Sequence, residues 1–135
     1  MQLDQIHVGA ILVAALSMFL IGGVWYSPML FGDAWMRLNG FTLESLRTSG
    51  QFRPLVGSAV LALIMSTNLA FFLASSKTTL LWGMTAGALA GGGWVATGLT
   101  MTALFERKSW TYIAINGSYH LVAFTVMGAI LGVWR

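Results

Sequence analysis

Long runs of uncharged, mostly apolar residues dominate the chain, and short polar segments separate them. Four stretches contain no Asp, Glu, Lys or Arg, namely 5–32, 54–76, 78–105 and 109–134. A helix needs about 20 apolar residues to cross the hydrocarbon core of a bilayer. Lipid offers no partner to unpaired backbone groups, and these stretches are too long for barrel strands. The pattern therefore predicts a bundle of four transmembrane helices, at about 7–27, 54–75, 80–105 and 112–134.

The composition also indicates an all-α integral membrane protein, with one transmembrane domain over residues 1–135. Apolar residues make up 57% and charged residues 8%, against about 45–50% and 25% in soluble domains. The lipid bilayer is therefore the predicted partner. The net charge of +3 is spread over loops, whereas nucleic-acid binding needs a contiguous basic face. The sequence therefore predicts no nucleic-acid partner. It has no cysteine and no cluster of histidines and carboxylates, and it predicts no metal and no cofactor.

Basic residues are distributed unequally between the two ends of the predicted bundle. Loops 28–53 and 106–111 contain five of them: Arg37, Arg47, Arg53, Arg107 and Lys108. The opposite side has Lys77 and Arg135. Because basic residues concentrate on the cytoplasmic side, this distribution predicts cytoplasmic loops and external termini.

Loop 28–53 contains signals for two short helices. Asp33 and Thr42 can cap them, and Gly40 and Gly50 can end them. Their apolar residues suggest an amphipathic segment in the membrane interface: Leu30, Phe31, Trp35, Met36, Phe41 and Leu46. A loop that only shields the helix ends is an equally open interpretation.

The third predicted helix is rich in glycine. Gly83, Gly87 and Gly91 recur every four residues, a spacing that lets membrane helices approach closely. We predict helix packing through this face, within one chain or between subunits of a homo-oligomer. A flexible or cavity-lining stretch is the alternative.

One group of polar and aromatic side chains can form a ligand pocket in the cytoplasmic half. Tyr112, Asn116, Tyr119 and His120 share a face of the fourth helix, and His120 lies near the bilayer centre. The further pocket candidates are Trp25, Tyr26 and Ser27 on the first helix, and Trp94, Thr97 and Thr100 on the third. Alternatively, these groups hold the helices together, at about 0.6 kcal/mol for each hydrogen bond. We expect a neutral His120 that is hydrogen-bonded to Asn116 or to a threonine of the third helix.

Two strings resemble the signatures of a bacterial four-span membrane family, catalogued as domain of unknown function 1761. The first contains Trp25-Tyr26-Ser27-Pro28, Leu30-Phe31-Gly32 and Ala34-Trp35-Met36. The second contains Phe105-Glu106-Arg107-Lys108, Ile115-Asn116-Gly117, Tyr119-His120-Leu121 and the segment 126–132. Ser118 departs mildly from the family pattern, in which alanine or glycine is expected at this position. The resemblance covers essentially the whole chain and implies a bacterial inner-membrane protein, but it brings no activity, substrate or cofactor.

Three functions remain open from the sequence. The leading hypothesis is binding or passage of a small polar or amphipathic molecule through a pocket near His120. The second is an accessory or scaffold protein that acts through helix surfaces. The third is an enzyme for a lipid-like substrate, for which only Tyr119 and His120 offer chemistry. No carboxylate or cationic side chain lies deep in a predicted span, which argues against proton-coupled transport through a buried glutamate.

Overall fold

The computed structural model describes residues 2–134, and this part of the chain contains helices and no strand. A short 3-10 turn, Leu3–Gln5, precedes six α-helices. The helices are α1 (Val8–Trp25), α2 (Gly32–Asn39), α3 (Leu43–Ser49), α4 (Phe52–Phe72), α5 (Leu80–Phe105) and α6 (Trp110–Val133). Helices α1, α4, α5 and α6 are long and apolar enough to cross a membrane. The predicted all-α membrane fold is confirmed.

Local hydrogen bonds explain where the long helices differ from their predicted limits. Helix α1 ends at Trp25 rather than near residue 27, because the next two amides bond back to Gly22 and Val24. Helix α6 begins at Trp110 rather than near residue 112, because the Ser109 hydroxyl accepts a hydrogen bond from the Tyr112 amide at 3.1 Å. This side-chain cap satisfies a backbone donor that the first turn leaves free.

The four long helices pack in the spatial order α5, α6, α1, α4. Helix α6 is central and contacts the other three, and α4 packs mainly on α1. The core between them consists largely of small and aliphatic side chains, including Ala14, Ala123, Met127 and Leu131. Because α4 and α5 stand at opposite ends of this order, the bundle is open between them.

Helix α5 lies with its backbone against that of α6. A side chain at Gly83 would collide with the backbone of Gly128, and one at Gly91 would collide with that of His120. Gly87 meets the backbone of Phe124 in the same way. The glycine face is thus used within the chain. Self-association stays a prediction, and it would need another surface.

A π-helical segment, Leu89–Ala96, interrupts the α-helical hydrogen bonding in the middle of α5. The sequence left two roles open for the glycines, close helix packing or lining of a cavity, and glycines near each other in this segment differ in their surroundings. Gly91 is buried against α6, whereas a side chain at Gly93 would meet no atom within 4 Å. Segments of π-helix in longer helices occur often at functional sites.

Helices α2 and α3 lie at the end of the bundle formed by residues 26–53 and 106–109, which we call the basic end. The start of α2 is held against the turn that follows α1, because Gly32 is buried and donates a backbone hydrogen bond to the Ser27 carbonyl at 2.9 Å. Helix α3 has a capping box between Thr42 and Ser45 and no buried residue. The other end, residues 73–79 with both chain ends nearby, we call the terminal end. The Gln2 amide bonds there to the Ala74 carbonyl at 2.9 Å.

Candidate functional site

Three hydrogen bonds link α1 and its C-terminal end to α6 near the basic end. Trp25 Nε1 donates to the Ile115 carbonyl at 3.0 Å, and the Tyr26 hydroxyl donates to Asn116 Oδ1 at 2.7 Å. The Tyr119 hydroxyl donates to the Met18 carbonyl at 3.0 Å. These side chains were candidates for a ligand pocket, and in the structure each forms a hydrogen bond to the neighbouring helix. Their geometry matches the hydrogen bonds that join membrane helices.

Aromatic contacts extend this cluster towards the loop of the basic end. The ring of Tyr26 makes edge contacts with Tyr119 at 5.4 Å and with Trp35 of α2 at 5.7 Å between centroids. Trp25 contacts Phe31 at 5.1 Å. Such pairs add about 0.5–1.5 kcal/mol beyond burial of their area. The cluster therefore fixes α2 against the ends of α1 and α6.

The remaining polar candidates form hydrogen bonds within their own segments. Ser27 Oγ donates to the Val24 carbonyl at 2.7 Å. Thr97 and Thr100 donate to the carbonyls of Gly93 and Ala96, at 2.6 and 2.7 Å. Local bonds of this kind satisfy a hydroxyl in lipid without joining helices.

His120 lies beside this cluster, with its ring 4.9 Å from that of Tyr119. Its Nδ1 atom is buried and has no hydrogen-bond partner among residues 2–134. The predicted bond to Asn116 or to a threonine of α5 does not form among these residues, and the hydrogen bonds of Asn116 go to other partners. Asn116 accepts from Tyr26 and donates to the Tyr112 carbonyl at 2.9 Å. A buried polar atom without a partner is uncommon in a native protein and often marks a water or ligand position.

A cavity lies elsewhere, in the opening between α4 and α5. It has a volume of about 600 Å³. Its walls are side chains of the second half of α4 and the first half of α5, and its floor is Phe124 of α6. The lining residues are Met65, Asn68, Leu69, Phe72, Trp82, Ala86, Leu89, Ala90, Gly93, Trp94, Val95 and Phe124. We call this cavity the lateral groove.

The lateral groove includes one residue of the predicted pocket, Trp94, whose side chain is 73% exposed. Sequence reasoning missed the contribution of α4, since its residues there are mostly ordinary apolar ones. Asn68 was the available signal, because an amide is unusual in an apolar span. Its Nδ2 atom donates to the Ile64 carbonyl of its own helix at 2.9 Å.

A metal-binding arrangement is not present in residues 2–134, where no three His, Cys, Asp or Glu side chains come together. The floor of the lateral groove lies close to His120 along α6, because Phe124 follows it by one helical turn. Gly91, next to the groove residue Ala90, packs on the His120 carbonyl. The structure thus holds an apolar groove and, beside it, a bonded polar cluster with one unsatisfied nitrogen.

The sequence profile of one family, described as protein of unknown function (DUF1761), matches residues 9–132. The match covers nearly the whole chain, so the protein belongs to this family. No curated protein and no solved structure matches the chain. The family assignment agrees with the resemblance seen in the sequence, and it brings no activity.

Proposed function

We propose that the protein binds an amphipathic, lipid-like molecule in the lateral groove. The observation that carries the proposal is that α4 and α5 scarcely touch, which leaves an apolar cavity of about 600 Å³ in the side of a membrane bundle. Ligand cavities of about 300–1,000 Å³ with mostly apolar walls are typical of small-molecule sites. A groove between membrane spans is surrounded by hydrocarbon, so its natural occupants have an apolar chain.

The length of the groove supports an occupant from a single leaflet. Its wall on α5 runs from Trp82 to Val95, at most about 20 Å at 1.5 Å per residue. One leaflet supplies about half of the 30 Å hydrocarbon core. The groove begins near the terminal end of the bundle, where Trp82 opens α5, and it ends near mid-membrane. One acyl chain or a similar apolar tail fits these limits.

Polar groups near the groove support an amphipathic ligand rather than a plain hydrocarbon. Asn68 lines the wall on α4, and Trp82 carries an indole N–H at the level where α5 begins. Tryptophan prefers the headgroup region of a bilayer. Lys77 is exposed in the loop of the same end and can face an anionic or zwitterionic headgroup. The groove therefore offers an apolar wall for a tail and polar groups for a head.

A substitution that fills the groove tests the proposal. Gly93 lines it, and a side chain there meets no atom within 4 Å, so Gly93→Leu should occupy the cavity without moving a helix. Gly98→Leu is a matched control, because Gly98 lies on the same helix, is equally unobstructed and is outside the lining. Lipids that co-purify with each protein would be extracted and quantified by mass spectrometry. We expect Gly93→Leu to lose a lipid that the parent and Gly98→Leu retain.

Equal lipid content in all three proteins, with equal melting temperatures, would contradict binding in the groove. His120→Gln adds information about the inner end of the site. Glutamine can form hydrogen bonds but, unlike histidine, it cannot take up a proton near neutral pH. Loss of the same lipid in His120→Gln would extend the site to this residue. Retention would limit the ligand to the groove, and would leave His120 outside it.

We also propose the bacterial inner membrane as the location, with the basic end in the cytoplasm. The support is the distribution of five basic residues at the basic end against two at the other. This orientation puts the lateral groove in the outer leaflet. A groove-bound molecule would therefore come from the leaflet that faces away from the cytoplasm.

A further inference from the structure

The ends of α2 and α5 have the same backbone geometry, with different residues at the critical position. In α2, the Phe41 amide bonds to the Met36 carbonyl and the Gly40 amide to that of Arg37. In α5, the Lys108 amide bonds to the Ala103 carbonyl and the Arg107 amide to that of Leu104. Both are Schellman motifs, in which the residue after the cap adopts a left-handed conformation.

That conformation suits glycine and not arginine. Gly40 has a φ of 69° and Arg107 has a φ of 59°. Arg107 is the only residue other than glycine with a positive φ in residues 2–134. The side chain of an L-residue there crowds the following carbonyl, a strain of about 1–2 kcal/mol. The backbone at position 107 therefore favours glycine, and its conformation does not explain why an arginine is present.

The surroundings of Arg107 combine cationic and apolar groups. Arg107 is exposed, and Lys108 Nζ stands 5.3 Å from the centre of the Tyr112 ring. Phe105 and Trp110 flank this turn and are 90% and 71% exposed. Large aromatic residues at the ends of membrane-spanning helices are typical of the boundary between hydrocarbon and headgroups. The turn thus presents two cations at the height of the lipid phosphates.

The charge balance of the basic end is positive. Five basic residues stand there against three carboxylates, Asp33, Glu44 and Glu106. No ion pair joins a basic and an acidic side chain within 4.0 Å in the described part of the chain. Glu106 neighbours Arg107 in sequence and leaves a net positive turn. These cations therefore remain available to an external anion.

We propose that Arg107 and Lys108 form a binding site for the headgroup of an anionic phospholipid. Arginine can donate two parallel hydrogen bonds to a phosphate, and lysine adds a second positive charge. The exposed Phe105 and Trp110 rings lie against the acyl chains below. Selection for this contact explains why an arginine occupies a position whose backbone favours glycine. The site is independent of the lateral groove, which begins at the terminal end.

The test compares Arg107→Gly with the parent in detergent. Apparent dissociation constants for phosphatidylglycerol and phosphatidylcholine with identical acyl chains would be measured by native mass spectrometry. We expect the parent to bind phosphatidylglycerol more tightly. Arg107→Gly should weaken that binding about fivefold, since a basic residue near a charged membrane surface contributes about 1 kcal/mol. Binding of phosphatidylcholine should not change, and the melting temperature should not fall, because glycine suits the left-handed position.

Two control variants separate this site from general charge and from the groove. Arg47→Gln removes an exposed cation at the same end of the bundle, in a helix with no buried residue, and should leave phosphatidylglycerol binding unchanged. Gly93→Leu should leave the preference for phosphatidylglycerol unchanged, even if the groove loses its lipid. The proposal is overturned if the parent binds the two lipids equally or if Arg107→Gly binds phosphatidylglycerol as the parent does. It is also overturned if the variant loses both lipids together with stability, since Arg107 would then be structural.

Discussion

Replacing Gly87 with alanine should destabilise the protein, although alanine is the better helix former. A Cβ atom at Gly87 would overlap the Phe124 carbonyl oxygen, stand 2.8 Å from its carbonyl carbon and 3.2 Å from the Thr125 Cα atom. Ordinary contacts begin near 3.4 Å. Helices α5 and α6 must therefore separate by at least about half an ångström, which forfeits a quarter or more of the dispersion attraction between the separated atoms.

The magnitude follows from two opposing effects. Overpacking of a tight interface costs about 1–3 kcal/mol, and alanine regains up to about 1 kcal/mol of helix propensity. Because the overlap is with backbone atoms of Phe124, the cost at Gly87 belongs in the upper part of this range, about 2–3 kcal/mol. The expected net loss in free energy of unfolding is then about 1–2 kcal/mol. Gly98→Ala is the control, because a side chain there meets no atom within 4 Å. It should raise stability by about 0.5–1 kcal/mol, so the same substitution has opposite signs at the two positions.

Thermal unfolding in one detergent, followed by circular dichroism, would measure both variants. One kcal/mol corresponds to a shift of a few degrees in a domain of this size. Gly87→Ala should melt below the parent and Gly98→Ala above it. If Gly87→Ala melts as high as Gly98→Ala, the backbones of α5 and α6 are not in contact at Phe124. The argument for a glycine face within the chain would then be wrong.

Three further predictions concern the contacts of α1 and the orientation. Ser66→Ala should lower stability by about 0.5–1 kcal/mol because it removes the buried 2.8 Å bond to the Ile11 carbonyl; an unchanged melting curve would show that this bond contributes nothing. Tyr26→Phe and Asn116→Ala should each lower stability, by less in combination than the sum, since they share one bond; full additivity would exclude that bond. A fluorescent protein fused after residue 135 should stay dark if the chain ends are external, and bright cytoplasmic fluorescence would reverse the orientation.

The length of the uncharged apolar runs was sufficient to predict the fold, because lipid imposes a single solution on long apolar segments. The spacing of Gly83, Gly87 and Gly91 likewise indicated a close helix contact. It did not say that the partner is α6 of the same chain, since small residues fit within a chain and between chains equally well. Which helices become neighbours depends on many contacts together, so a single motif is not sufficient to predict it.

The candidate site was harder to predict for a physical reason. Polar residues in a span draw attention, and Tyr26, Asn116 and Tyr119 form hydrogen bonds between helices. The lateral groove, in contrast, arises because α4 and α5 scarcely touch. Its residues, such as Leu69 and Leu89, look like any lipid-facing residue in the sequence. A cavity made by missing contacts leaves no compositional signal, apart from Asn68.

The spatial order of the helices has a consequence for how the chain assembles during synthesis. Helices α5 and α6 are adjacent in sequence, joined by a turn of four residues, Glu106 to Ser109, and packed backbone to backbone. They can associate as a hairpin as soon as both are inserted, since local contacts form early. Helix α1, made first, must wait for α6 before Trp25 and Tyr26 find their partners. We therefore expect assembly to end with the docking of two preformed helical hairpins, and mutations in the α1–α6 contact to leave stable, separated halves in the membrane.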